Sequence, residues 1–178
     1  AYAKGFTSLP DGRYVYYGSN YGMVFGNTTI GGLPYSLNAI NGNLVTGEVL
    51  FGGVGWMYMN PSTHTYASGL TKLPDGRLVL YGGTKQTMQF GYATYGGRPF
   101  STNTVNGVVT TGEVFFPGVG WTYLNPTTLQ HGLSITSLPD GRTVLYGSNY
   151  GMQFGEKNTG GKWYYFDLVN GNMKLGFF

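Results

Sequence analysis

Leu9-Pro10-Asp11-Gly12-Arg13 recurs as Leu73-Pro74-Asp75-Gly76-Arg77 and again as Leu138-Pro139-Asp140-Gly141-Arg142, the leucines 64 and then 65 residues apart. Each copy is followed by a short apolar run, a Tyr-Gly pair and Met-x-Phe-Gly: Tyr14 to Gly18 closing at Met23–Gly26, Leu78 to Gly82 closing at Met88–Gly91, and Thr143 to Gly147 closing at Met152–Gly155. Pro-Asp-Gly is turn chemistry, because proline presets φ and glycine takes the conformation that other residues resist. A β-branched and aromatic run between two such turns reads as a strand. Each copy is therefore a turn, a strand, a turn and a second short strand.

The period organises the rest of the chain. Tyr2, Ala3 and Gly5 match Tyr66, Ala67 and Gly69, so the sequence begins inside a repeat, which is expected of a C-terminal piece of a longer protein. The unit divides into three candidate hairpins. The Asp-Gly-Arg hairpin covers about 5–26, 70–91 and 133–155, with residues 1–4 the tail of a preceding repeat. The second, 27–49 and 92–114, carries Gly31-Gly32-Leu33-Pro34-Tyr35 and Gly96-Gly97-Arg98-Pro99-Phe100, each followed by Asn-Gly and Thr-Gly-Glu-Val. The third, 50–69 and 115–132, carries Gly-Val-Gly-Trp-x-Tyr-x-Asn-Pro at Gly53–Pro61 and Gly118–Pro126, and 156–178 returns to the second type.

Composition agrees with an all-β array and excludes several function classes. Of 178 residues 32 are glycine and 16 tyrosine, charged residues are 10%, and no stretch has a helical apolar period. Without cysteine there is neither a disulfide framework nor a thiolate metal site. No apolar run is long enough for a membrane-spanning helix, so no membrane insertion is expected. The net charge of +3 weakly favours polyanionic partners, but the ten basic residues are scattered and do not point to nucleic acid. No cofactor is expected, since no glycine-rich loop opens a helix. His64 and His131 sit near matching places without a second ligand at metal spacing.

Gly161-Lys162-Trp163-Tyr164-Tyr165-Phe166-Asp167, followed by Asn170-Gly171-Asn172-Met173-Lys174-Leu175-Gly176, closely resembles the cell-wall-binding repeat of choline-binding proteins, glucan-binding domains and cell-wall lysins. Aligned without gaps, Gly161, Gly171 and Gly176 fall on Gly32, Gly42 and Gly47 and on Gly97, Gly107 and Gly112. The resemblance extends more loosely over the whole chain, and a recurrence at regular spacing carries more weight than one match. It implies a β-solenoid of about eight stacked β-hairpins, three per roughly 64-residue turn, stabilised by neighbour stacking.

In that family the ligand sits in a groove between consecutive hairpins, walled by Trp and Tyr and often a Met. Side chains alternate along a strand, so Trp56 shares a face with Tyr58, Trp121 with Tyr123, Trp163 with Tyr165 and Tyr14 with Tyr16. Such faces suit sugar rings and quaternary ammonium groups. The candidate ligand residues are those eight, with Tyr66, Met88 and Met152 as neighbours. Pro34, Pro99, Leu78 and Thr143 stand where Trp163 does in the other repeats, so most grooves lack a full aromatic cage. That departure favours a wall polysaccharide or teichoic acid over choline itself.

Five of the seven acids recur at equivalent places, Asp11, Asp75 and Asp140 in turns and Glu48 and Glu113 after Thr-Gly. An active site is single, whereas a structural or binding device is copied with its repeat, so no catalytic residue is assigned. Arg13, Arg77 and Arg142 are expected at a solvated hairpin edge. The expectation is a non-catalytic module at the bacterial cell wall that anchors a peptidoglycan hydrolase, an endolysin or autolysin with its catalytic domain upstream. The α-glucan-binding region of a glucansucrase and a ligand-free stalk or adhesin are the alternatives, and the sequence leaves the oligomeric state open.

Overall fold

In the computed structural model, which describes residues 1–175, the chain is all strand and turn. Among the described residues the strands form eight small antiparallel sheets, each a hairpin of consecutive strands. They pair Gly5–Ser8 with Tyr14–Tyr17, Gly26–Ile30 with Leu33–Leu37, Gly47–Phe51 with Gly55–Met59, and Gly69–Lys72 with Leu78–Gly82 and Thr87–Met88. The later four pair Gly91–Tyr95 with Arg98–Thr102, Gly112–Phe116 with Gly120–Leu124, Ser134–Ser137 with Thr143–Tyr146 and Met152–Gln153, and Gly155–Thr159 with Lys162–Phe166 and Met173–Lys174. They are called the first to eighth hairpins below. Gly176, matched to Gly47 and Gly112 in the sequence, lies outside the described residues.

The third and sixth hairpins start three residues earlier than expected, at Gly47 and Gly112. Thr-Gly-Glu-Val is the opening of a strand and not the tail of a turn, because Val49 and Val114 pair with Met57 and Thr122. Where a two-residue loop joins the strands, both central residues are glycine at positive φ: Gly31 and Gly32 at 58° and 81°, Gly160 and Gly161 at 60° and 76°. This is the primed turn whose twist matches the flanking strands, and a side chain at either position would oppose it.

The chain forms two compact units, Ala1–Thr71 with Tyr81–Met88, and Lys72–Leu80 with the chain from Gln89 on. In the first unit Leu37, Leu44 and Met59 form a buried cluster, with Phe6, Tyr14, Tyr16, Tyr35 and Tyr66 packed around it. In the second, Tyr123, Leu138, Val144, Tyr146 and Met152 form another, joined by Phe154. Each cluster draws on more than one hairpin, so no hairpin encloses a core of its own. That is the condition expected of strands only four or five residues long, since a lone hairpin is marginal in water.

Polar side chains finish the joints. The carboxamide or carboxylate after each second-type or third-type strand accepts two backbone N–H groups of the following turn: Asn38 from Ile40 and Asn41, Asn60 from Ser62 and Thr63, Asn103 from Val105 and Asn106, Asn125 from Thr127 and Thr128, and Asp167 from Val169 and Asn170. These are Asx turns, which satisfy donors that the strands leave unpaired.

The arginines lie at a partly solvated hairpin edge, with Arg13, Arg77 and Arg142 side chains 32%, 27% and 20% exposed, and each also reaches the next hairpin. In the first unit Arg13 donates through Nε to Asp11 Oδ2 at 2.8 Å and through Nη1 to the Asn41 carbonyl at 2.6 Å. In the second unit Arg77 bonds Asp75 and the Asn106 carbonyl, and Arg142 bonds Asp140 and the Asn170 carbonyl. The turn aspartate thus aims a guanidinium at the Asn-Gly turn of the next hairpin. Because acceptor and donor are both charged, this aspartate–arginine bond is of the stronger class.

A second copied tie has changed its chemistry. Tyr66 hydroxyl donates to the Pro34 carbonyl, and at the matching place His131 Nε2 donates to the Pro99 carbonyl at 2.6 Å. The partner of His131 in the repeat is therefore Tyr66, while His64 corresponds to Leu129, both at positive φ in their turns. His131 Nδ1 is buried without a partner. Burial chiefly, with Arg98 adding to it, lowers the imidazole's affinity for a proton, although the bond to Pro99 works the other way.

Two pH dependences follow. Asp167 has its carboxyl held at about 2 by the Val169 N–H, Lys174 and the Asn170 N–H, below its ordinary 3.8. Its contribution is present above the ordinary value and is lost as pH falls from about 4 towards 2. Asp167→Asn, which copies Asn38 and Asn103, keeps the two backbone bonds and is expected to flatten the acid limb of Tm against pH in that window. His131 has its folded proton affinity lowered, so its contribution is present above the ordinary imidazole value and is lost as pH falls below about 6.5. His131→Tyr, copying Tyr66, is expected to remove the part of the Tm decline between pH 7 and 5 that the wild type shows; an unchanged decline would exclude His131 as its source.

Candidate binding grooves

The sixth hairpin carries Glu113, Phe115, Trp121 and Tyr123 on one face, because alternate residues of a strand point the same way and Glu113 pairs with Tyr123 and Phe115 with Trp121. Burial divides the face. Tyr123 is 7% exposed and belongs to the core cluster, whereas Trp121 is 46% exposed and meets Phe115 edge-on at 5.7 Å between ring centroids. Opposite stand Met152 and Phe154 of the seventh hairpin. With Val169 and Asn170 they enclose a cavity of about 230 Å³ with Trp121, closed at one side by Glu113 and Arg142.

The charged wall is built deliberately. Arg142 spends Nε on Asp140 at 2.7 Å, Nη1 on the Asn170 carbonyl at 2.7 Å and Nη2 on Glu113 Oε2 at 2.6 Å. Burial works against the charge of Arg142, but the bonds from Asp140 and Glu113 outweigh it and hold the guanidinium proton more firmly than usual. Beside this wall the Tyr146 hydroxyl is buried without a hydrogen-bond partner, and burial raises its proton affinity, keeping it neutral. A groove with an aromatic face, a thioether and an ion pair at its rim can stack a sugar ring or a quaternary ammonium group and hydrogen-bond adjacent hydroxyls.

The other expected residues fall in four places. Trp163 and Tyr165 border a second cavity of about 230 Å³ with Glu156 and Tyr164, and Trp163 is 73% exposed. Trp56 is partly exposed and pairs across its hairpin with exposed Leu50. Tyr58 and Met88 are buried. Tyr14, Tyr16 and Tyr66 pack around the first unit's core, with Tyr14 stacked on His64 at 4.0 Å and Tyr66 tied to Pro34. The strand alternation that joined each Trp to its Tyr holds, but Tyr58 and Tyr123 lie two residues nearer the core and are buried, while Tyr165 stays at the rim of its cavity.

Phe154, Glu113 and Arg142 were not among the expected ligand residues. Phe154 was signalled by the recurrence of Met-x-Phe-Gly, in which the Phe is copied as faithfully as the Met. Glu113 and Arg142 recur too, but that they meet depends on stacking between hairpins, which no local pattern encodes. Met152 also closes on the Asn-Gly turn: a Cβ added to Gly171 would collide with its sulfur, so that glycine admits the methionine into the groove wall. Gly171→Ala, at φ 72°, is expected to displace Met152, to cost about 1–3 kcal/mol through strain and overpacking, and to lower Tm by several degrees in thermal unfolding.

No family model matches the chain, and no curated protein sequence does. Among solved structures the chain is similar to CbpJ of Streptococcus pneumoniae TIGR4, at 18% identity and a TM-score of 0.59, over 98% of this chain and 66% of that one. It is similar to choline binding protein F of Streptococcus pneumoniae at 22% identity and a TM-score of 0.58, over 91% and 55% of the two chains. It is similar also to the modular autolysin LytC of Streptococcus pneumoniae at 13% and 0.55, over 97% and 39%. The chain thus spans less than two thirds of the length of these proteins. The shared feature is the fold, an all-β array of hairpins of the choline-binding-repeat type.

Proposed function

We propose, from the choline-binding-repeat fold as premise, that this chain is a non-catalytic cell-wall-binding module that anchors a peptidoglycan hydrolase to a polymer of a Gram-positive wall. The observation that carries the reading is the groove of Trp121, Met152 and Phe154 with the Glu113–Arg142 pair at its rim. Trp163 with Glu156 offers a second aromatic face. Choline binding protein F was crystallised in the presence of a peptidoglycan analogue, a tetrasaccharide-pentapeptide, and LytC in complex with a synthetic peptidoglycan ligand. A wall location and a repeating wall ligand fit both relatives.

In this reading the hairpins within each unit follow a β-solenoid with three hairpins to the turn, so that equivalent grooves recur with the 64-residue period. Each groove is shallow and binds one repeat of a polysaccharide or teichoic acid weakly. Linked grooves on one chain raise the overall affinity by orders of magnitude without any new contact. The ion pair distinguishes the Trp121 groove from a plain aromatic cage: Arg142 already balances Glu113, which suits a neutral sugar or a zwitterionic substituent better than a bare cation.

The test is sedimentation of the chain with purified Gram-positive walls, before and after removal of teichoic acid and wall polysaccharide, beside insoluble α-glucan. Binding to intact walls that falls on stripping is the expected result. Trp121→Ala removes a stacking face worth about 1–2 kcal/mol when desolvated and should weaken single-site binding about tenfold, with a larger loss on walls when Trp163→Ala is added. Binding to α-glucan alone would overturn the wall assignment in favour of a glucan module.

A further inference from the structure

The seventh and eighth hairpins border a third, open cavity in the same unit, about 650 Å³ against 230 Å³ for the Trp121 groove, and it contains none of the residues that line that groove. Its lining is mixed: Ser134, Asn149, Gln153, Lys157 and Asn158 supply polar groups, and Leu133, Leu145 and Tyr146 an apolar wall.

Two of these residues break the repeat. Seven hairpins open on glycine at positive φ, from Gly5 at 81° to Gly155 at 75°, and the seventh opens on Ser134 at 60°. A side chain in the left-handed region is a strained choice where glycine serves elsewhere, and strain retained at one copy of a repeat points to a local use. The second break is Lys157, third residue of its strand, where the other hairpins place threonine, valine or alanine. Among the described residues no carboxylate is paired with Lys157. Glu156 faces the other side of the strand and borders the Trp163 cavity, and Asp167 is paired with Lys174 at 3.0 Å.

The remaining groups complete a donor set. Asn149 Oδ1 accepts the Gly151 N–H at 3.0 Å, which fixes the carboxamide and leaves its NH₂ without a partner among the described residues, and Gln153 Nε2 donates to the Gly151 carbonyl. An ammonium, a carboxamide and a strained hydroxyl around a wide open cavity match a chain of hydroxyls bearing a negative charge. They do not match the flat apolar face of the Trp121 groove's ligand.

We infer that this cavity is a second binding site, taking an anionic polyol or sugar segment whose phosphodiester or carboxylate seats on Lys157 while its hydroxyls meet Ser134, Asn149 and Asn158. The site goes beyond the aromatic-groove reading and stands without it. The ligand chemistry has two sources, a polyol phosphate or an acidic glycan, and the probes separate them.

The experiment is calorimetric titration of the whole chain with glycerol-phosphate oligomers, oligogalacturonate and neutral isomaltooligosaccharide. Binding of either anionic probe, with the neutral one at least tenfold weaker, is expected, and the tighter of the two anionic probes names the charge carrier. Lys157→Gln should weaken that binding tenfold or more, while Lys162→Gln, an equal change of charge at the exposed end of the same hairpin, should leave it intact. Ser134→Gly should raise Tm and weaken binding together, the signature of strain kept for a ligand. Equal losses from the two lysine variants, undiminished binding in Ser134→Gly, or no binding of either anionic probe at millimolar concentration would overturn the proposal. The same titration on Trp121→Ala separates the two sites, since binding here persists even if the aromatic groove is found to take nothing.

Discussion

A hairpin of two short strands has two faces and no interior, so an apolar side chain it buries must be covered by another hairpin. That constraint explains where the conserved-looking parts of each repeat go. Leu37, Leu44 and Met59 meet in one cluster, and Tyr123, Val144, Tyr146 and Met152 in another, each assembled from successive hairpins. The polar ties serve the same end. Arg13 and Arg142 are held by Asp11 and Asp140 and reach the carbonyl of an Asn-Gly turn 28 residues on. The guanidinium helps to fix register between neighbours, beside backbone bonds such as that from the Leu44 N–H to the Tyr14 carbonyl.

The grooves are a by-product of that stacking. Tyr58 and Tyr123 sit close to the joint and are covered, while Trp56 and Trp121, two residues nearer the hairpin tip, extend past the neighbour and stay partly exposed. The same strand face therefore supplies core at one end and a binding wall at the other. Where the neighbour adds Met152 and Phe154 the wall becomes a groove, and the Glu113–Arg142 pair closes it.

Much of this was legible in the sequence, and the reasons for the remainder are specific. Leu-Pro-Asp-Gly-Arg and Gly-Gly fixed turns because proline and glycine restrict or free φ locally, and the β-branched and aromatic runs between them fixed strands. The depth of Tyr123, the burial of Met152 and the meeting of Glu113 with Arg142 depend on which hairpin lies above which. That information is spread over residues about 30 positions apart and is not a pattern of neighbours. The arginines read from the sequence only as a solvated edge for this reason: nothing local to Arg142 announces the Asn170 carbonyl. The equivalence of Tyr66 and His131 was hidden in a similar way, because a phenol and an imidazole perform one task, donating to a proline carbonyl, with no chemical likeness in the letters.

The Asn-Gly turns have a consequence for chemical ageing. Asparagine followed by glycine is the dipeptide most given to ring closure, in which the glycine nitrogen attacks the asparagine carboxamide and deamidates it. Here Gly42 and Gly107 donate that N–H to the carbonyls of Asn38 and Asn103, and the carboxamides of Asn41 and Asn106 are turned to the N–H groups of Asn43 and Val108. Attacking atom and target are both engaged elsewhere and held in a turn that ring closure would have to break. The folded hairpins therefore shield their most labile peptide links, and the covalent lifetime of the chain is tied to the integrity of its turns.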